Sequence, residues 1–301
     1  MQISGQRKPA ALTLAFIILM AVSTLAVDQP SYQAEIERWR AAQEAELRAD
    51  DGWLTLAGLF WLKEGSNSIG SNASGDIVLP EGAAPARLGV VELHEGRVTL
   101  RLTSDASVTL NEKPVTIVTL QSDEQQKPDV LRLGALSFYV IKRGARYGVR
   151  VKDLNSRNRR EFTGRRWYPV NERYRVTATF IGYDQPREIE IINKLGDQIK
   201  MKSPGYVRFK LNGNDYRFDA LDEEGKLFFV FADRTNGRTT YGAGRFLYAE
   251  PAKDGKVILD FNKAINPPCA FTPFATCPLP PRQNRLKISI ESGELSAHPA
   301  E

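Results

Sequence analysis

The spacing of hydrophobic and polar positions changes once along the chain, after about the first fifty residues. Before that point, Ile36, Trp39 and Leu47 recur at roughly helical spacing among charged residues. Ser31 precedes them and is a residue type that caps helices well, because its hydroxyl accepts a hydrogen bond from the first turn. The pattern therefore predicts one helix that runs through Arg48.

The rest of the chain consists of short alternating or β-branched runs. Pairs such as Asn236-Gly237 and Asp254-Gly255 separate them and favour tight hairpin turns. We expect an almost wholly antiparallel β protein. The predicted strands are 53–62, 76–79, 98–102, 107–110, 136–142, 174–183, 187–192, 206–211, 216–221, 227–232, 245–249, 256–262 and 286–290. The most basic stretch, 155–166, predicts a linker between two sheets.

Residues 1–26 do not fit this globular pattern. Arg7 and Lys8 form a short positive region, and 10–26 is an unbroken run of small and apolar residues. These features are typical of a secretory signal peptide, so we expect cleavage near Ala26 and export to the periplasm or the exterior. The alternative is an uncleaved membrane anchor, because the run is near the lower length limit for a spanning helix. After cleavage we expect no membrane span.

Composition and motifs argue against several function classes. Lys and Arg outnumber Asp and Glu by only 41 to 36, which does not predict a nucleic-acid partner. The two histidines are His94, in a predicted turn, and His298, in a tail (296–301) that we expect to be disordered, and neither is placed to assist a nucleophile. The sequence GAGRF at 242–246 lacks the third glycine of a dinucleotide fingerprint. We expect no cofactor.

One segment is unusually rich in proline. Residues 266–281, here called the proline-rich loop, contain six prolines and both cysteines, Cys269 and Cys277. Zinc would need two further nitrogen or sulfur ligands, and none lies near in the sequence, so we expect no metal. An exported protein meets an oxidising compartment, which favours a disulfide. We therefore expect a Cys269–Cys277 disulfide that holds this loop rigid.

The first half of the β region carries a recognisable series of residues. They are Gly70, Asp76-Ile77-Val78-Leu79, Asn111, Val115 and Leu133-Gly134. In this order they resemble the forkhead-associated domain, a β-sandwich that normally binds phosphothreonine peptides. The resemblance covers 69–140 and implies a forkhead-associated-like β-sandwich, which we place at 53–154.

The phosphate-binding residues of that family do not carry over. Ser71 stands where the family has its arginine, and Pro85-Ala86-Arg87-Leu88 stands where it has Ser-Arg-x-His. A site without these donors loses the charge-assisted hydrogen bonds that hold a phosphate. We expect the fold without phosphothreonine recognition.

The last third of the chain carries a second series. Its members are Thr240-Tyr241-Gly242, Gly244-Arg245-Phe246-Leu247, Asp260-Phe261-Asn262, Asn266-Pro267-Pro268-Cys269, Cys277-Pro278, Pro280-Pro281, Asn284-Arg285-Leu286 and Gly293-Glu294. They closely resemble a bacterial and archaeal family of unknown function, family 1684. The resemblance extends over roughly 35–294 and implies no activity. After the signal peptide we expect a helical segment (27–52), the sandwich, and a second antiparallel β domain (155–295).

The signature polar residues define a candidate site. If Asp254-Gly255 closes a two-residue hairpin, alternation places Arg245, Asp260 and Asn262 on one face, toward the proline-rich loop. The predicted ligand-binding residues are Arg238, Tyr241, Arg245, Asp260, Asn262 and Asn284. The alternative is structural: an Arg245–Asp260 ion pair, with the two asparagines hydrogen-bonding the loop backbone.

Two hypotheses of function follow. The first is a binding or structural module of the cell envelope that takes a small molecule, a glycan or an envelope protein, since an arginine with a tyrosine and amides suits a carboxylate or a sugar. The second is a hydrolase of glycans or esters, with Asp260 and either Glu291 or Glu294 as acid and base. The sequence does not give the separation of these carboxylates.

Overall fold

The computed structural model describes residues 1–2, 31–125 and 127–297. The mainly β fold with one long N-terminal helix is confirmed. Helix α1 (Tyr32–Arg48) begins where predicted, and the Ser31 hydroxyl accepts the backbone N–H of Ala34 at 3.3 Å. Within α1, Ile36 and Leu47 are buried. The predicted signal peptide falls largely on 3–30, outside the described residues, as does His298.

Within the described residues, seventeen strands and a second, short α-helix follow α1. The first eleven strands are β1 (Leu56–Trp61), β2 (Gly65–Gly70), β3 (Ile77–Val78), β4 (Gly89–His94), β5 (Arg97–Leu102), β6 (Thr109–Leu110), β7 (Lys113–Pro114), β8 (Ile117–Leu120), β9 (Leu131–Leu133), β10 (Leu136–Arg143) and β11 (Arg146–Asp153). Helix α2 (Arg157–Glu161) lies within the predicted linker. The remaining strands are β12 (Arg175–Ile192), β13 (Gln198–Leu211), β14 (Asn214–Glu223), β15 (Lys226–Phe231), β16 (Arg245–Ala249) and β17 (Lys256–Asp260).

The first eleven strands form two sheets around one core. Their orders are β1-β11-β10-β9-β6-β7 and β3-β2-β4-β5-β8. Alternating apolar residues such as Leu100, Phe138 and Val151 are buried in a common cluster. A Cβ atom on Gly70 would lie 2.3 Å from the Ala86 carbonyl oxygen, so the close approach of the loops beside β2 requires glycine.

The last six strands form a single antiparallel sheet in the order β16-β15-β14-β13-β12-β17. Its inner face buries a cluster rich in phenylalanine that includes Phe218, Phe229 and Phe261. Its outer face is covered at one end by the proline-rich loop, where Cys269 and Ala275 pack with apolar residues of the sheet. The inner cluster and this covered end together bury most of the sheet's apolar surface, which favours folding.

The structure corrects several strand predictions. The predicted strands 174–183 and 187–192 are one long strand, β12, and 286–290 is not a strand. The predicted set lacks β2, β4, β7, β8, β9 and β11. In β2 and β11, polar residues or glycines interrupt the apolar alternation. In the part of the chain that the structure describes, no helix is long and apolar enough to cross a membrane.

The predicted pairing of β16 with β17 is wrong. Lys253 and Lys256 do exchange two backbone hydrogen bonds of 2.9 Å around the Asp254-Gly255 turn, as expected. However, β16 forms its ladder with β15 and β17 forms its ladder with β12. The turn therefore does not set the register of the two strands, and the predicted alignment of Arg245 with Asp260 is lost.

Candidate functional site

Arg245 is fully buried and paired with an acid that the sequence did not identify. Its Nη2 lies 2.6 Å from Asp233 Oδ2, and both side chains have no exposed surface. The same guanidinium donates to the backbone carbonyls of Ile290 and Ser292. The predicted Arg245–Asp260 pair is wrong because the side chain of Arg245 points to the inner face of the sheet. Arg245 thus ties the C-terminal segment to strand β16.

Asp260 and Asn262 lie in a separate polar cluster with Tyr32. The Tyr32 hydroxyl donates to the Asp260 carboxylate, at 2.8 and 2.9 Å from its two oxygens, and accepts from Asn262 Nδ2 at 2.9 Å. Asn262 also binds the backbone of Asn171 and the hydroxyl of Ser292. Burial, together with the bond to Asp260, raises the pKa of Tyr32. The cluster fixes the first turn of α1 against the C-terminal sheet.

The other three predicted site residues are distributed elsewhere. Asn284, which is fully buried, accepts from the Asp219 N–H at 2.7 Å and donates to the carbonyls of Asp219 and Val230, so it bridges β14 and β15. Tyr241 donates to the Cys269 carbonyl at 2.8 Å and accepts from Lys194 at 3.0 Å. Arg238 is exposed in a turn. The structure therefore does not bring the six predicted residues around one pocket.

The predicted disulfide is not formed in this structure. Cys269 and Cys277 are free, buried thiols, and the Cys269 N–H donates to Cys277 Sγ at 3.3 Å. A hydrogen bond between the two side chains lowers the pKa of Cys269 and raises the pKa of Cys277. A short 3₁₀ turn at Pro268–Ala270 directs the Cys269 amide toward the second sulfur, so backbone geometry and packing hold the loop.

The proline-rich loop contacts both halves of the molecule. Thr272 Oγ1 donates to the Leu56 carbonyl of β1 at 3.4 Å, and Arg143 of β10 donates to Thr276 Oγ1 at 3.2 Å. On the other side, the Lys194 N–H donates to the Cys277 carbonyl at 2.9 Å. Its rigidity therefore serves the contact between the sandwich and the C-terminal sheet.

A buried carboxylate lies near the C-terminal end of the described chain. Glu294 is 1 % exposed, and its Oε2 accepts from Arg165 Nη1 and from the Asn266 N–H, both at 2.8 Å. Burial raises its pKa to about 7, although these two partners oppose the shift. Asp260 is also buried and bound to Tyr32, whereas Glu291 is exposed. The two buried carboxylates thus have separate partners.

A groove of about 460 Å³ lies between α1 and the segment that follows α2, and we call it the α1 groove. It is lined by Arg40, Ala41, Glu44, Ala45, Arg48 and Trp167. The two alanines lie one helical turn apart and leave space between the longer side chains. The candidate residues predicted from the sequence do not include this groove, although two arginines and two alanines on one helix face are a signal for it.

The aromatic and charged groups of the α1 groove hold one another in place. The Arg40 guanidinium lies 4.8 Å from the centre of the Trp167 ring, which also contacts Trp39 edge to face at 5.8 Å. Arg40 Nη2 donates to the Tyr168 carbonyl at 3.1 Å, and its buried Nε has no hydrogen-bond partner among the described residues. Glu44 pairs with Arg48 at 3.0 Å. Arg40 thus has no carboxylate partner in the described part of the chain.

A second cavity, of about 520 Å³, lies among the loops at one end of the sandwich. Its lining includes Gly70, Asn72, Arg87 and Thr103. Ser71, which stands at the position of the phosphate-binding arginine, donates its hydroxyl to the Ala84 carbonyl at 2.9 Å. That hydroxyl is therefore used within the loops.

The fold and the buried signature residues define a mainly β protein with a sandwich, a second antiparallel sheet and an N-terminal helix. A family model described as "Protein of unknown function (DUF1684)" matches residues 160–295. An uncharacterised protein of Haloarcula marismortui, solved by solution NMR, is 31% identical over 46% of this chain and 78% of its own, with a TM-score of 0.39. The chain belongs to this family of unknown function.

Forkhead-associated domains are also among the similar solved structures. The domain of FhaA, solved with the intracellular domain of a partner, is 23% identical over 31% of this chain and 97% of its own, with a TM-score of 0.23. A domain from a study of phosphothreonine-dependent interactions is 23% identical over 31% of this chain and 92% of its own, also with a TM-score of 0.23. No curated protein matches the chain.

Proposed function

We propose that this protein is an exported binding module of the cell envelope that takes a small acid or an acidic sugar in the α1 groove. The observation that carries the proposal is Arg40, a half-buried guanidinium beside the Trp167 ring, without a carboxylate partner in the described chain, at the wall of an open groove. A planar guanidinium binds a carboxylate with two parallel hydrogen bonds. The Trp167 ring stacks on the Arg40 guanidinium and so holds it at the wall of the groove.

The charge and the rigidity of the groove support this role. Two of its six lining residues are arginines and one is a glutamate, so its lining carries net positive charge. Arg40 is held by the Tyr168 carbonyl and the Trp167 ring, so little side-chain freedom is lost when a ligand binds. The Tyr32 contacts to the C-terminal sheet position the helix that provides most of the lining.

Export is proposed from the N-terminal sequence alone, namely the positive region followed by the apolar run at 10–26. The hydrolase alternative requires two carboxylates that face one cleft. Asp260 and Glu294 are each more than nine-tenths buried and are bound to different partners, which favours binding over hydrolysis. Phosphothreonine recognition is not part of the proposal, because the Ser71 hydroxyl is used within the loops.

A thermal-shift screen tests the proposal. The purified protein is heated with uronic acids, N-acetylmuramic acid or dicarboxylates. The control for each acid is its uncharged counterpart. We expect at least one acid to raise the melting temperature of the wild type and not that of Arg40→Gln, while its neutral counterpart raises neither. Equal shifts in both proteins, or no shift with any acid, would remove the groove as the site.

A further inference from the structure

The proline-rich loop leaves one end of the outer sheet face open to solvent. There, Thr179 of β12 pairs with Lys256 of β17 on one side and with Arg208 of β13 on the other, and Arg208 pairs with Arg217 of β14. Residues directly opposite each other in a ladder project from the same face. Lys256, Arg208 and Arg217 therefore form a row across four strands, which we call the cationic row.

This arrangement leaves positive charge uncompensated. Arg208 and Arg217 are direct neighbours in the ladder, and like charges in that position destabilise a sheet. Arg217 has Asp219 as a partner at 2.8 Å. Arg208 and Lys256 have no carboxylate within ion-pair distance among the residues described. A solvent-exposed sheet face that binds no ligand would be more stable if positive and negative side chains alternated across its strands.

Two tyrosines hold arginines of this face in fixed positions. The guanidinium of Arg217 lies 3.9 Å from the centre of the Tyr206 ring, and that of Arg187 lies 4.2 Å from the centre of the Tyr183 ring. The two rings are 6.1 Å apart. Stacking of this kind restrains an arginine and leaves the edges of its guanidinium free to donate hydrogen bonds.

We infer that this open face binds an acidic polysaccharide whose charges are carboxylates. Guanidinium edges match carboxylates, and the exposed hydroxyls of Thr177 and Thr179 beside the row match sugar hydroxyls. A single-stranded nucleic acid fits less well, because base stacking needs free aromatic faces and the guanidinium groups already occupy those of Tyr183 and Tyr206. The inference goes beyond the proposed function and uses no residue of the α1 groove.

The test compares two matched double variants in direct binding to polygalacturonate at low ionic strength, with neutral dextran as the control polymer. Arg187→Gln/Arg208→Gln removes two arginines of the open face, neither of which forms an ion pair with another described residue. Arg97→Gln/Arg132→Gln removes two exposed arginines of the sandwich. We expect the first variant to bind at least about tenfold more weakly, because charge-assisted hydrogen bonds are lost, and the second to bind as the wild type does.

Two further measurements make the test specific. The melting temperature of unliganded Arg187→Gln/Arg208→Gln should be close to that of the wild type, because relief of the Arg208–Arg217 repulsion offsets the lost stacking of Arg187 on Tyr183. Added salt should weaken binding by the wild type more steeply than binding by this variant. The inference would be overturned if both variants bound polygalacturonate equally well, or if the wild type bound dextran as tightly as polygalacturonate. Failure of the wild type to bind polygalacturonate would also overturn it. Tighter binding of single-stranded DNA or of phosphatidylglycerol vesicles by the same face would overturn the polysaccharide assignment.

Discussion

The hydroxyl of Tyr32 lies 2.8 and 2.9 Å from the two carboxylate oxygens of Asp260, a residue 228 positions later in the chain. This contact joins the first turn of α1 to the end of β17. Because α1 provides five of the six residues that line the groove, the contact connects a family-signature acid to the proposed site through the position of a helix. Asp260 is thus a positioning residue in this account.

Replacing Tyr32 tests that role. Tyr32→Phe removes the hydroxyl and leaves Oδ2 of the buried Asp260 without a hydrogen-bond donor among the described residues, so we expect a loss of about 1 to 3 kcal/mol in the free energy of unfolding. Tyr183→Phe is the matched control, because its hydroxyl forms no hydrogen bond to a side chain or backbone group within the described residues. Urea unfolding measures both. A Tyr32→Phe variant as stable as the control would show that the contact does not hold α1.

The buried pair of Arg245 and Asp233 has a distinct energetic signature. Arg245→Met leaves a buried, unpaired carboxylate, and we expect a loss of roughly 3 to 5 kcal/mol. Adding Asp233→Asn removes that charge and should recover part of the loss. Guanidinium unfolding of the single and double variants gives the comparison, and recovery of soluble expression serves as the measurement if the single variant does not fold. A single variant that loses less than about 1 kcal/mol would contradict a structural role.

Glu294 predicts a pH dependence of stability. Its pKa is about 7 in the folded protein and 4.5 when unperturbed, so the folded state binds more protons between these values. Its contribution therefore falls as the pH rises from about 4.5 to 7, by at most about 3 kcal/mol, and is constant outside that window. The free energy of unfolding of Glu294→Gln should not show this decrease between pH 4.5 and 7. This variant should also be less stable than the wild type at all pH values, because Arg165 loses its carboxylate partner. Parallel pH profiles of the two proteins would contradict the assignment.

Export predicts a defined N-terminus. When residues 1–301 are expressed in a bacterium with a secretory pathway, intact-mass measurement should find a product that begins at Val27, in the periplasmic or extracellular fraction. The control is a chain in which Thr24 and Ala26 are replaced by bulky residues, which should block cleavage. A product that retains Met1 in the membrane fraction of the unaltered chain would support the uncleaved anchor instead.

Much of the fold could be predicted because it depends on local periodicity. Helix α1 has apolar residues at helical spacing and a serine cap, and strands such as β10 and β15 are strongly apolar. The sequence pattern does not predict strand β2, GSNSIG, because this strand is stabilised by pairing with β4 rather than by its own side chains. The pairing partner of a strand cannot be read from its local sequence pattern.

The arrangement of the candidate site could not be predicted for a related reason. The alternation predicted from the sequence puts Arg245 on the wrong face, because the Asp254-Gly255 turn does not set the register of β16 and β17, which pair with other strands. Its true partner, Asp233, precedes it by twelve residues in an irregular segment. Tyr32 and Asp260 meet only through the tertiary fold. Signature residues that looked like ligand contacts are mostly the buried polar groups that join distant segments.

Isothermal titration tests whether the α1 groove binds an acid through Arg40. The acid that stabilises the wild type in the thermal screen is titrated into wild type, Arg40→Gln and Arg38→Gln, the last being an exposed arginine of the same helix outside the groove lining. We predict that Kd rises at least about tenfold for Arg40→Gln, through loss of a charge-assisted pair, and stays at the wild-type value for Arg38→Gln. The same Kd for all three proteins would contradict the account.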